Sequence, residues 1–360
     1  APLFDMTWSD DAPWPQSADG GGFSLVPRTP SVTLDPSDSA SWRASARVGG
    51  SPGADDPVAD VPPVWISEVL SHTDLPQVDA VELFNPSPSP VDVSGWYLSD
   101  DPGAPRKYRI AAPRVIPPGG YTVLTESDFN APGAAGPFAL SSHGDEVFLF
   151  SADASGNLTG HTDGFGFGAS ANGMSFGRYT NSVGETQFPA QTELTLGSPN
   201  SGPRVGPVVL NEIQYHPFPG EVEFVEISNP TADAVPLFDP ENPGNTWRLA
   251  GADFAFPPGA TLAPRGFAVV TSGDPTLFRL KWGVPDGVPV FGPFSGNLAD
   301  GGERLELQRP DAPDAVTNAA GGVTSVVPYI SVDSVRYGDR VPWPAEAAGL
   351  GASLERRGSL

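Results

Sequence analysis

Val208-Val209-Leu210-Asn211-Glu212-Ile213-Gln214 and, shortly after it, Phe224-Val225-Glu226-Ile227-Ser228-Asn229-Pro230 read as two short apolar strands, the second ending at an Asn-Pro turn. An earlier stretch repeats the design. Val64-Trp65-Ile66-Ser67-Glu68-Val69-Leu70 aligns with the first run and Val81-Glu82-Leu83-Phe84-Asn85-Pro86 with the second. At one constant offset Glu68, His72, Glu82 and Asn85-Pro86 fall on Glu212, His216, Glu226 and Asn229-Pro230. Further on, Trp96-Tyr97-Leu98 corresponds to Trp247-Arg248-Leu249, and Pro118, Gly120 and Tyr121 correspond to Pro264, Gly266 and Phe267. Self-similarity of this kind points to a repeated structural unit.

Two more elements recur. Pro13-Trp14-Pro15, Ala18, Gly20, Gly22 and Ser24-Leu25 reappear in the same spacing as Pro342-Trp343-Pro344, Ala347, Gly349, Gly351 and Ser353-Leu354. A degenerate middle copy is Gly173-Met174-Ser175-Phe176. A closing element, Trp42-Arg43-Ala44-Ser45 running on to Gly50-Ser51-Pro52-Gly53, is echoed by Phe188 running on to Gly197-Ser198-Pro199-Asn200. The order of these pieces sets the expected organisation: residues 1–57 as the closing part of a preceding repeat, 62–202 as a full module, and 206–360 as a second module. A fragment of a longer array is the expected reading. The alternative is that residues 1–57 complete the last module, within the chain or from a neighbouring molecule.

Gly120-Tyr121-Thr122-Val123-Leu124 and Gly266-Phe267-Ala268-Val269-Val270 follow turn residues and read as buried strands; Glu146–Phe150 and Arg304–Leu307 read as the next ones. Only the stretch around Pro275 to Lys281 offers a turn or two of helix. Gly (42) and Pro (43) make up almost a quarter of the 360 residues, yet 20 Phe and 8 Trp supply large cores, so many short strands and turns are expected rather than disorder. The class is therefore all-β, with sandwich modules.

At this point the ordered motifs resemble a known family. Asn211-Glu212-Ile213 with Phe224 to Pro230, and Val81 to Pro86 with Val91-Asp92-Val93-Ser94-Gly95-Trp96-Tyr97-Leu98, are similar to bacterial lamin tail domains. The resemblance implies tandem immunoglobulin-like β-sandwiches and a secreted or cell-surface setting. In the second module Pro236-Leu237-Phe238-Asp239-Pro240 stands where a Ser-Gly-Trp turn is expected.

The chain has no Cys, so a disulfide framework is excluded. A net charge of −24 makes nucleic acid and anionic membranes poor partners, and it suits cations, Ca²⁺ among them. No stretch has the roughly 20 apolar residues of a spanning helix, so membrane insertion is not expected. The sequence offers no catalytic triad, phosphate loop or metal-ligand spacing. Gly173-Met174-Ser175-Phe176-Gly177 matches a nucleophile elbow in letters, but Arg178-Tyr179-Thr180-Asn181 after it carries no helix signal. The best polar set is Glu68, His72 and Glu82 with its echo Glu212, His216 and Glu226, read as a candidate metal site against the plainer alternative of solvated strand faces. Asp10-Asp11, Asp35/Asp38, Asp55-Asp56 and Asp100-Asp101 add oxygen ligands without forming a defined calcium loop. The expected function is a non-enzymatic structural or adhesive scaffold, whose partners are other protein modules or copies of itself, with carbohydrate a partner under the alternative that follows. The alternative is a carbohydrate- or protein-binding accessory module of a larger secreted hydrolase.

Overall fold

A computed structural model describes residues 6–8, 14–18, 22–29, 35–57, 61–133, 136–182, 184–317 and 321–357. They belong to two compact units, Ala1–Pro203 and Arg204–Leu360. The chain is almost entirely β, with short helices at Glu126–Phe129 and Pro275–Trp282.

The first unit stacks two four-stranded antiparallel sheets. One runs Ser175–Gly177, Trp65–Leu70, Ala80–Phe84, Tyr121–Thr125; the other runs Leu158–Gly168, Gly144–Ala152, Tyr97–Ser99, Tyr108–Arg109. Ile66, Val69, Val81, Leu83 and Leu124 of the first sheet share one core with Leu98, Val147, Leu149, Phe165 and Phe167 of the second, as two stacked sheets require. Strict alternation would not bring Ile66 and Val69 to the same face. A β-bulge between Ile66 and Glu68 does so: it resets the alternation, turning Val69 inward and Glu68 outward.

The second unit repeats this device, with its bulge between Leu210 and Glu212. Its larger sheet runs Val290–Phe291, Phe267–Thr271, Phe224–Ser228, Val209–Gln214, Leu354–Glu355. The facing sheet runs Phe254–Ala255, Arg248–Ala250, Arg304–Pro310, Tyr329–Arg336. Leu210, Ile213, Val225, Ile227 and Val270 meet Leu249, Leu305, Leu307 and Val332 in a single core. Trp247 sits in this core and Trp96 in the other, each 5% exposed. Val290–Phe291 joins in parallel to Phe267–Thr271 because a helix intervenes and turns the chain back. Asp274 starts that helix by accepting the Thr276 and Leu277 N–H groups, and Gly283 ends it in the left-handed region at φ 63°. Phe278 fastens it to Phe224 and Val269 on the outer face of the sheet.

Before the first sandwich, Leu25–Pro27 and Trp42–Ala44 pair as an isolated hairpin. The Ser17 hydroxyl bonds the Gly160 carbonyl at 3.2 Å, and Arg43 is ion-paired with Asp56 at 2.6 Å. Pro13 and Gly20 of the first Pro-Trp-Pro copy, and Gly358 to Leu360, lie outside the described residues. Trp343 of the other copy packs partly buried against the second core.

Candidate functional site

The recurrent Glu residues are brought face to face in both units, and their surroundings differ. Glu68 and Glu82 are direct cross-strand partners and both are fully buried. Glu68 accepts the Ser175 hydroxyl at 2.5 Å, the Thr195 N–H at 3.0 Å and the Thr195 hydroxyl at 2.8 Å. Glu82 accepts the Gly197 N–H through Oε2, while its Oε1 is buried without a hydrogen-bond partner. Burial pushes the Glu82 carboxyl up to about 7; the Gly197 N–H opposes the rise and the facing Glu68 charge adds to it. The loop that contains Thr195 and Gly197 is the closing element recognised in the sequence. It also pairs along Ser175–Gly177, where Gln191 N–H donates to the Ser175 carbonyl at 2.9 Å and Gly177 N–H to the Pro189 carbonyl at 3.1 Å. The paired carboxylates are therefore the anchor for a closing segment.

In the second unit Glu212 and Glu226 are again direct partners, and Glu355 stands beside Glu212 on the next strand. Glu212 accepts the Ser353 hydroxyl, as Glu68 accepts that of Ser175. Glu226 accepts the Asn211 side-chain amide at 2.7 Å. Glu212 and Glu226 are only half-buried and Glu355 is exposed. Among the described residues, no loop corresponding to Thr195–Gly197 covers them.

The histidines do not join these pairs, which corrects the grouping of Glu68, His72 and Glu82 around one ion. Glu68 lies in the paired part of its strand, whereas His72 lies beyond its end. Four residues of extended chain separate them by about 13 Å. The His72 Nδ1 instead meets the Ser170 carbonyl at 2.6 Å, beside an open polar recess of about 230 Å³ lined by Thr73, Asp79 and Glu126. His216 likewise lies past its strand, its Nε2 3.7 Å from Asp300. Among the described residues, no group of three or more His, Cys, Asp or Glu is placed to hold a metal ion. The acidic clusters serve turns: Asp35 accepts the Ser37 N–H, Asp38 the Ala40 N–H and Asp101 the Gly103 N–H, while Asp100 is ion-paired with Lys107. Asp10-Asp11 lies outside the described residues. Ser175 is a buried strand residue bonded to Glu68, not an exposed nucleophile on a strand-to-helix turn.

Asn85 and Asn229 show what the Asn-Pro signature does. Each is fully buried. The Asn85 amide donates to the carbonyls of Ser89 (2.8 Å), Ile116 and Pro117 (3.1 Å each), and its oxygen accepts the Ser87 N–H and hydroxyl. Asn229 does the same with Asp233, Leu262, Ala263 and Thr231. Residues that escaped the sequence reading are Asp163 with Arg178, and Asp333 with Arg356. Asp163 accepts the Ile66 N–H at 2.7 Å and the Arg178 guanidinium at 2.6 Å, and Arg178 Nε donates to the Ile66 carbonyl at 2.9 Å. Asp333 accepts the Leu210 N–H and Arg356, which also reaches the Leu210 carbonyl. Ile66 and Leu210 stand beside the bulges, opposite Leu83 and Ile227, while Ser67 and Asn211 are the residues without a cross-strand partner. The spacing from Asp to Arg differs between the two units, so no constant offset flags the pair.

The strands of the first sandwich, from Trp65–Leu70 into Leu158–Gly168, coincide with the stretch that a family comparison singles out. Residues 57–167 match the family model of the Lamin Tail Domain. Lamin tail domains are immunoglobulin-like β-sandwiches of a non-catalytic module type. The matched stretch contains Glu68, Glu82 and Asn85; the Thr195–Gly197 loop and the second unit lie beyond it. No curated protein and no solved structure matches the chain.

Proposed function

We propose that this chain is a stretch of a secreted or cell-surface scaffold built from repeated lamin-tail-like modules, and that it works by presenting and spacing those modules rather than by catalysis. The two units are read as copies of one module. The single observation that carries this reading is the shared polar framework: Asn85 and Asn229 make the same five kinds of bond, and Asp163–Arg178 and Asp333–Arg356 hold the backbone of Ile66 and Leu210 beside the bulges. The polar residues that recur most faithfully are thus spent on holding each module together. Immunofluorescence and protease shaving of intact cells producing the native protein test the setting, and surface labelling with loss of the epitope on shaving is expected. A glycan array probed with the whole chain tests the accessory-module alternative. Specific glycan binding would replace the scaffold reading, which expects an array without hits.

A further inference from the structure

We propose that the chain joins its own Ser175 and Gln191 by an ester bond, which locks the closing segment onto the first sandwich. This modification goes beyond the scaffold reading and does not depend on it.

Three side chains from separate parts of the chain meet where the segment shuts the sheet: Glu68 on Trp65–Leu70, Ser175 on Ser175–Gly177, and Gln191 on the segment itself. They are 0%, 1% and 3% exposed, so Ser175 is closed to any outside substrate and bulk water is kept from the group. Each holds a position that ester formation requires. The Ser175 hydroxyl donates to Glu68 Oε1 at 2.5 Å, a nucleophile resting on its base. The Thr195 hydroxyl holds Glu68 Oε2 at 2.8 Å and so fixes the carboxylate that faces Ser175. Gln191 is the electrophile. Its Oε1 accepts the Ser201 N–H at 2.9 Å, a donor aimed at the oxygen on which charge develops during attack. A backbone N–H can face only the carboxamide oxygen, so the leaving nitrogen is the atom turned toward Ser175. That nitrogen lies 3.3 Å from Ser175 Oγ, and Cδ is one C–N bond further, within about 4.6 Å of the hydroxyl. The last torsion of a Gln side chain is broad, and a turn about Cγ–Cδ presents the face of the carbonyl carbon to Oγ.

In the reaction Ser175 Oγ attacks Gln191 Cδ while its proton passes to Glu68. The bond from Cδ to Nε2 then breaks, Glu68 returns the proton to the departing nitrogen, and ammonia leaves. One hydroxyl and one carboxamide become one ester and one ammonia. Nothing is oxidised or reduced and no co-reactant is needed. The same burial that brings the groups together shields the ester from hydrolysis. Gly177 leaves room for the Gln191 side chain: a Cβ there would lie 2.3 Å from the Gln191 Cδ. The chain has no Cys, so no disulfide can fasten the segment. A covalent link from residue 175 to residue 191 constrains the unfolded chain as a disulfide would.

Mass spectrometry of the full chain after trypsin digestion is the test. Trypsin cuts after Arg178, between the two residues, and releases Val115–Arg178 and Tyr179–Arg204. These two peptides are expected to be recovered joined, lighter by one ammonia than their sum, and to part on mild alkaline hydrolysis. Ser175→Ala gives the two peptides free. Glu68→Gln, checked for its fold by circular dichroism, slows the joining about a hundredfold, as loss of a general base does. A parent chain of full mass with both peptides free overturns the proposal whatever the variants do. So does ammonia lost within one peptide, which would place the loss at Asn172 or tie Gln191 to Thr195. A Ser175→Ala chain that remains joined overturns it as well. None of these results bears on the reading of the two units as modules, which rests on the contacts of Asn85, Asn229 and the Asp–Arg pairs.

Discussion

Glu82 keeps an ionisable group away from water. Its carboxyl is buried opposite Glu68, and its folded value is raised to about 7 from an ordinary 4.5. Between those values the folded state holds more protons than the unfolded one, so stability falls as pH rises through this window and is greatest below it. The expected loss is on the order of a few kcal/mol. Chemical denaturation at a series of pH values checks it, and Glu82→Gln should flatten the profile over that range. The sequence marked Glu82 as recurrent without indicating its burial, because a Glu in an apolar strand reads as its solvent-facing position. Asn85 and Asn229 were legible as turn residues, but the five bonds each one makes were not. Replacing either by Ala leaves buried carbonyls and N–H groups unpaired. A loss of roughly 2–4 kcal/mol from the affected unit is expected, read as a shift in denaturation midpoint.

At the scale of elements, the bulge explains why strand patterns in this chain are hard to read. Ile66 and Val69, like Leu210 and Ile213, break the spacing of two and still share a core. The backbone of Ile66, beside the bulge, is held by Asp163 and Arg178. Asp163→Ala removes one side of a partly buried ion pair and orphans an N–H, so it should cost about 2–3 kcal/mol. Asp163→Asn should retain about half of that, since its amide oxygen still accepts from Ile66; the two denaturation midpoints decide. Strands, Asn-Pro turns and the helix beginning at Pro275 were visible from local pattern and capping residues. The closing segment was visible only as a repeat. What it covers depends on contacts between Glu68 and Thr195, far apart in the chain.

For the whole molecule, each unit has its own core among the described residues. Trp96→Ala and Trp247→Ala each remove a large aromatic side chain that is 5% exposed, for an expected cost of roughly 3–5 kcal/mol. Calorimetry of the full chain should therefore show the first substitution lowering one unfolding transition and the second lowering another. A single transition shifted equally by both would show that the units melt as one.

The sequence by itself determined the all-β class, the recurrence of two strand–turn signatures and the correspondence in sequence of Trp96 with Trp247. These depend on local periodicity, turn chemistry and comparison of the chain with itself. Only the tertiary structure decided that Glu68 and Glu82 anchor a loop apart from His72, and that Asp163 and Asp333 hold the backbone of Ile66 and Leu210. It also separated the covered carboxylate pair of one unit from the half-buried pair of the other. The physical reason is that a carboxylate's role is set by its burial and by the donors around it, and here both come from residues distant in sequence.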